Sequence, residues 1–285
     1  MARLLDLHAW DGLPGMAERG KGWALVKGDC SEALERLPPH SVDVAFADPP
    51  YMLSNGGTTC QSGRRVSVDK GEWDASRGLA QDHAFQRTWL EAVRRVLKPG
   101  GTLWVSGTQH VIFTIGFAMQ ELGYHLLNTV TWYKPNASPN LACRFFTHST
   151  EILLWASPMK SRPLAHRFNY QAMKAANRGK QMRDLWEIWE APGAGSEQVI
   201  WSVPTPGPRE KVHGRHPTQK PLALLERVLA ASASPGDLVL DPFSGSGTTG
   251  VAALRAGCRF LGIEHDPGYV DLAGRRLRAA EIDPE

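Results

Sequence analysis

Cysteine is scarce in this sequence, and what there is lies scattered. Cys30, Cys60, Cys143 and Cys258 form no CxxC pair and have no histidine at metal-ligand spacing, which leaves neither a disulfide framework nor a bound metal to expect. No apolar run reaches the ~18 residues of a membrane span, and the opening stretch MARLLDLHAWDGLPG lacks the long apolar core of a secretory signal. These absences point to a cytoplasmic protein with reduced thiols and no membrane contact. Excess charge is also small, a net +3, too little for composition alone to announce a polyanionic partner. There is no internal repeat and no low-complexity tract.

The positive charge that exists is concentrated. Between Ser157 and Arg215 there are ten Lys/Arg against five Asp/Glu, leaving 22 against 24 elsewhere. That segment is also rich in proline, and its Trp186, Trp189 and Trp201 follow no period. It reads as an insert. On either side of it, apolar patterning alternates between strand and helix. GWALVKGDC (Gly22–Cys30) and VDVAFADPP (Val42–Pro50) read as buried parallel strands. DHAFQRTWLEAVRRVLKPGG reads as a helix closed by Lys-Pro-Gly-Gly. Strand Gly101–Gly107, helix His110–Leu122 and two further β-like runs, Leu126–Lys134 and Ser149–Ala156, follow. After the insert come helix Leu222–Ser232, strand Asp237–Phe243, helix Thr248–Ala256, strand Cys258–Asp266 and a last helix from about Tyr269. The pattern predicts an α/β protein with a doubly wound, mostly parallel sheet.

Two motifs lie at predicted strand ends. In DPFSGSGTTG, Gly245, Gly247 and Gly250 form a GxGxxG turn between strand and helix, and Glu264 ends the next strand. Such glycines let backbone approach a ligand, and the acid can accept from ribose hydroxyls. An adenosine-bearing ligand follows, its identity open. The second motif is DPPY, Asp48–Tyr51. An exocyclic amino nitrogen on a nucleobase is a poor nucleophile because its lone pair is delocalised into the ring. Acceptors placed on its N–H bonds favour the charge that develops as it is alkylated. Asp48 supplies a carboxylate. Pro49 and Pro50 fix φ and donate no N–H, so nearby carbonyls can face a substrate. Tyr51 offers a ring face for an extruded base.

Together, DPPY and DPFSGSGTTG resemble the exocyclic-amino DNA methyltransferases that use S-adenosylmethionine. The catalytic tetrapeptide precedes the cofactor loop, as in their permuted β class. KGDC around Asp29, NLACRFFTHSTEILLWA (Asn140–Ala156) and GRHPTQKPLALLERVL (Gly214–Leu229) fall in the matching order. The resemblance implies a Rossmann-like methyltransferase sheet formed by residues 1–156 and 216–285, with 157–215 as a small target-recognition insert. It implies that Asp241, Phe243, Gly245 and Gly247 cradle the methionine part of S-adenosylmethionine, that Glu264 binds its ribose and that Asp29 lies near its adenine. It places His216, Thr218 and Lys220 at the amino-acid end of that ligand. The implied partner is double-stranded DNA, with Arg178, Lys180 and Arg183 on phosphates and a flipped base in the site. Adenine N6 is the expected target and cytosine N4 the alternative. A homodimer and a pairing with a restriction endonuclease stay open. An RNA or protein amino-methyltransferase with a related tetrapeptide is closer kin than the two outside readings. A nicotinamide oxidoreductase would leave DPPY without a role, and a catalytically silent DNA-binding module would leave both motifs idle.

The stretch from Met52 to Trp73 reads as a long polar link, a length uncommon in a compact domain unless functional or disordered. It is expected to be mobile without DNA and to close over the duplex, with Arg64 and Arg65 on phosphates.

Overall fold

A computed structural model describes residues 13–54, 58–61, 64–67, 71, 74–137, 139–141, 143–161, 163–186 and 204–282, with backbone alone for 58–61, 64–67 and 185–186. Strands β1 (Met16–Gly20) and β2 (Trp23–Lys27) lead into a short helix α1 (Cys30–Glu35) and then β3 (Val42–Ala47). The hairpin strands β4 (Thr58–Gln61) and β5 (Arg64–Ser67) precede helix α2 (Leu79–Val96), which passes directly into β6 (Leu97–Gly107). Helix α3 (Ile112–Glu121), β7 (His125–Tyr133), β8 (Thr150–Ser157), α4 (Tyr170–Ala176) and β9 (Leu185–Trp186) follow. The chain closes with α5 (Leu222–Ser232), β10 (Leu238–Asp241), α6 (Thr248–Arg255), β11 (Arg259–Glu264) and α7 (Pro267–Ile282).

Nine strands form one sheet in the order β1-β2-β11-β10-β3-β6-β8-β7-β9. Its pairings make β1 and β8 the strands that run against the others. Side-chain alternation sorts the strand residues onto two faces. Ala45 and Ala47 pack with Leu34 of α1, Trp89 and Val93 of α2 and Ile115 of α3. Val44 and Phe46 pack with Leu225 and Val228 of α5, Ala252 of α6 and Leu277 of α7. Helices therefore cover both faces, as the patterning of buried parallel strands predicts.

The placement that matters most is β10 beside β3. Val239 and Leu240 pair with Val44 and Ala45, and Asp43 on β3 accepts the Leu238 amide at 2.9 Å across 195 residues of sequence. Both strands point their carboxyl ends the same way, so the chain after Ala47 and the chain after Asp241 emerge together. In an open α/β sheet that edge is where ligands bind.

Three local readings change. The strand expected to run to Cys30 ends at Lys27, because Asp29 caps α1 by accepting the amides of Ser31 (2.8 Å) and Glu32 (3.2 Å). Lys-Pro-Gly-Gly does end α2, but as the start of β6: Leu97 is extended at the helix C-terminus and pairs with Val42, and Lys98, the residue before Pro99, is biased to extended backbone and so cannot readily continue the helix. The link from Met52 to Trp73 holds regular structure, since β4 and β5 pair from Thr58↔Ser67 to Gln61↔Arg64. The side chains of Arg64 and Arg65 lie outside the described residues. Within the segment 157–215, Asn169 donates to the carbonyls of Ala230 (2.9 Å) and Ala233 (2.7 Å) beside α5, and β9 adds a strand beside β7.

Candidate active site

The glycine turn is built on dihedrals that side chains resist. Gly245 (φ +50°) and Gly247 (φ +74°) are both left-handed, the region glycine enters at least cost. Gly250 is a glycine for space, because a Cβ there would lie 2.6 Å from Leu277 and from the Phe260 ring. Glu264 holds the turn from β11, its two carboxylate oxygens accepting the amides of Gly245 (2.7 Å) and Asp266 (2.8 Å). Beneath the turn, the buried guanidinium of Arg276 on α7 donates to the carbonyl of Ser246 (2.7 Å) and to Thr248 Oγ1 (2.8 Å). No motif in the sequence marks Arg276, whose partners lie 28 and 30 residues away.

Asp241, the last residue of β10, is buried and accepts the Phe243 amide (3.0 Å) and the Thr249 hydroxyl (2.5 Å). Burial pushes its carboxyl up to about 7, against those two donors. A carboxyl raised in the folded state contributes stability that is complete below its unfolded value of about 3.9 and is lost as pH rises through about 7. Asp241→Asn removes that loss. Melting of the two proteins at pH 5.5 and 8.5 should therefore show the variant gaining on the wild type at the higher pH, by on the order of 5 °C. A constant difference across that range would place the raised group elsewhere.

His216 lies against the turn. Its ring is 4.2 Å from that of Tyr269 in an edge-on contact, its Nε2 sits 3.1 Å from where a Cβ on Gly245 would be, and its Nδ1 accepts the Thr218 amide at 3.2 Å. Phe243 meets Trp89 edge-on at 5.3 Å. Facing this half of the site is the tetrapeptide after β3. Asp48 accepts from the Tyr51 hydroxyl on Oδ1 (2.7 Å) and from Lys220 Nζ on Oδ2 (2.6 Å). The Tyr51 hydroxyl also meets Ser106 (2.9 Å) and Glu151 (3.1 Å), and the ring is only 6% exposed. Sequence reasoning credited Tyr51 with a stacking face alone; its hydroxyl proves equally engaged.

Two carboxylates in this half escaped the sequence reading. Glu151 on β8 accepts from Lys134 Nζ at 3.0 Å and lies 3.7 Å from Lys220 Nζ. Burial raises its carboxyl, but Lys220 and Lys134 outweigh that and hold it below the ordinary range. Asp74 is completely buried and accepts the Tyr51 amide (2.8 Å), the Leu53 amide (3.2 Å) and the Ser54 hydroxyl (3.0 Å). Its own carbonyl accepts the Ser54 amide at 3.1 Å. Neither residue lies in a recognisable motif. A signal did exist for Glu151, a charge one residue into an otherwise apolar strand (STEILLWA).

One cavity of about 840 Å³ joins the halves, with Asp48 to Tyr51 on one wall, Asp241 to Ser246 on another, and Asp29, Glu264, His216, Thr218 and Lys220 between them. All thirteen residues assigned from sequence to catalysis or cofactor binding, apart from Gly247, line it. Gly247 shapes the turn from behind, its Cβ direction 3.0 Å from Ala273. The lining fits S-adenosylmethionine: left-handed glycines open the backbone, carboxylates flank the ends, and Gln219 brings a buried Oε1 with no partner among the described residues. Arg178, Lys180 and Arg183 are exposed beyond α4, outside this lining.

Residues 42–275 match the N6/N4 methyltransferase family, described as DNA methylase. The chain is 47% identical over 255 residues to Type II methyltransferase M2.DpnII of Streptococcus pneumoniae, covering 90% of this chain and 89% of that protein. It is 42% identical over 264 residues to Type II methyltransferase M2.MboI of Moraxella bovis, covering 93% and 90%. Among solved structures, the cytosine-N4-specific PvuII DNA methyltransferase shares the fold with a TM-score of 0.69 at 18% identity, over 92% of this chain and 89% of that one. The M1.HpyAVI–SAM complex does so with a TM-score of 0.59 at 24% identity, over 90% and 98%.

Proposed function

The chain belongs to the N6/N4 DNA methylase family, and from that membership we propose that it methylates adenine N6 in double-stranded DNA, with cytosine N4 the alternative at the same site. It is an S-adenosylmethionine-dependent DNA methyltransferase. The observation that carries the finer reading is the meeting of DPPY and the glycine turn in one cavity, because β3 and β10 are neighbours in the sheet.

When bound, S-adenosylmethionine supplies a methyl group already activated on a sulfonium. The residues of this chain do the rest. Asp48, anchored from inside by Tyr51 and Lys220, turns its remaining lone pairs to the target amino group and accepts one N–H. A carbonyl of the Pro49–Pro50 backbone, which has no N–H of its own to satisfy, accepts the other. The nitrogen pair is thereby freed from the ring and aimed at the methyl, and the proton shed on transfer is taken by Asp48 or by solvent. Glu264, Asp29, His216 and Thr218 position the cofactor. The aspartate tetrapeptide favours adenine, since members with DPPY more often act on adenine and those with SPPY on cytosine.

Residues 157–215 are assigned to target recognition, Arg178, Lys180 and Arg183 to phosphate contacts, and Arg64 and Arg65 to phosphates beside a base swung out of the duplex. The Type II relatives support a role beside a restriction endonuclease. A homodimer would cover Phe113 and Phe117, exposed one turn apart on α3. Among the described residues no helix is long and apolar enough to cross a membrane. The test is product analysis: DNA incubated with the enzyme and methyl-labelled cofactor, digested to nucleosides, should carry the label in N6-methyladenine. Label in N4-methylcytosine would change the base, and unlabelled DNA would overturn the reading.

A further inference from the structure

The sequence set Lys220 at the cofactor's amino-acid end, but its Nζ lies 2.6 Å from Asp48 Oδ2, 3.7 Å from Glu151 and 5.1 Å above the Tyr51 ring. We infer that Lys220 is a positioning residue of the base-binding half, which holds the Asp48 carboxylate ionised and turned toward the target amino group. This rests on the amino-methyltransferase reading above.

The surroundings explain why a cation is needed there. Asp48 and Glu151 are two buried carboxylates joined through one hydroxyl, and Tyr51 has a single proton to give. Two such anions out of water disfavour each other's charge. Lys220 from the loop before α5 and Lys134 from the end of β7 bring two positive charges to the two negative ones. Asp241, on the neighbouring strand, is a further acidic group, and the Asp48 charge helps to raise its carboxyl. Burial already pushes the Asp48 carboxyl up, and Glu151 adds to it, while Lys220 pulls it down. The ammonium in turn is held charged by Asp48 and Glu151 against its own burial. Without Lys220, one proton on Asp48 would relieve the site. A protonated Asp48 accepts poorly from an amino group and cannot take its proton.

The experiment compares wild type with Lys220→Met and Lys220→Arg, using S-adenosylmethionine as the calorimetric ligand and an oligonucleotide duplex as substrate. In Lys220→Met, cofactor Kd should stay within about twofold while kcat at pH 7 falls by about 10² or more, the scale for losing a charge-stabilising acceptor. The acid limb of the kcat profile should move up by roughly one pH unit or more, so that activity partly returns at high pH. An infrared difference against Lys220→Met/Asp48→Asn should show the C=O stretch of a protonated carboxyl at pH 7, a band absent from the corresponding wild-type difference. Lys220→Arg should restore much of the neutral-pH rate, and its circular dichroism and melting serve as the folding control if Lys220→Met proves unstable. A cofactor Kd weakened tenfold or more, with an unshifted pH profile and no carboxyl band, would overturn the inference and return Lys220 to the cofactor. The infrared comparison needs no turnover, so it reads the Asp48–Lys220 pair even if wild-type enzyme methylates neither adenine nor cytosine, the result that would sink the functional reading instead.

Discussion

Replacing Asp48 by alanine or asparagine should reduce methyl transfer by a factor of about 10² or more, with S-adenosylmethionine affinity within about twofold of wild type. In the proposed reaction the carboxylate faces the amino group that reacts, and its observed contacts are with Tyr51 and Lys220 rather than with the glycine turn assigned to the cofactor. Asparagine is the sharper test. It keeps an oxygen for the Tyr51 hydroxyl and nearly the same shape, so a loss in Asp48→Asn belongs to the missing charge. Both variants leave Lys220 without its carboxylate, asparagine because the amide nitrogen replacing Oδ2 is itself a donor; among the described residues the buried ammonium then retains only the longer contact to Glu151, and some loss of thermal stability should accompany each. Single-turnover rates with saturating cofactor measure the effect, and near-wild-type turnover in either variant would remove Asp48 from the reaction.

The second large effect falls on a residue no motif announces. Asp74→Ala strips the acceptors from the amides of Tyr51 and Leu53 and from the Ser54 hydroxyl. A buried donor left unpaired costs about 1–3 kcal/mol. Because the three share one carboxylate and can relax together, the expected loss is on the order of 3 kcal/mol, or roughly 5–10 °C in Tm for a chain of this size. The rate should suffer separately. Tyr51 takes its backbone position from Asp74 and its hydroxyl orients Asp48, so kcat should fall by about tenfold or more even well below the melting temperature. Asp74→Asn keeps one acceptor and should do roughly half the thermal damage. An alanine variant that melts with the wild type would mean that the segment after Tyr51 is held in some other way.

These two aspartates mark the boundary of what the sequence makes legible. Asp48 could be placed because an apolar run stops at it and two prolines follow, a local pattern that fixes both the strand and its end. The glycine turn was equally local, with its spacing and the acid 19 residues on. Asp74, Glu151 and Arg276 gain their meaning from partners 17 or more residues away, and apart from the charge that Glu151 sets into an apolar strand nothing in their own neighbourhoods distinguishes them from surface charges. Lys220 was assigned from sequence to the cofactor's amino-acid end, and its contact with Asp48 was not legible there, because that contact spans 172 residues and depends on how the loop before α5 folds back over the sheet. Helix α1 was missed for a different reason: six residues are too few for a period to show, and only its capping aspartate marks it.

The adjacency of β3 and β10 also sets the order in which the molecule can be assembled. Until the chain has been made as far as Leu238, β3 has no partner on one side, and the pairing that creates the cavity closes over 195 residues. At about 5–20 residues per second of synthesis, that is a wait of roughly 10–40 s. During it, a flat apolar strand stands with an open edge, the kind of surface on which chains aggregate. Contacts this distant in sequence also slow refolding, because loop-closure entropy must be met before any pairing energy is returned. A permuted enzyme of this kind is therefore one in which the meeting of its two motifs and the covering of an exposed strand edge arrive in the same step, with the insertion of β10.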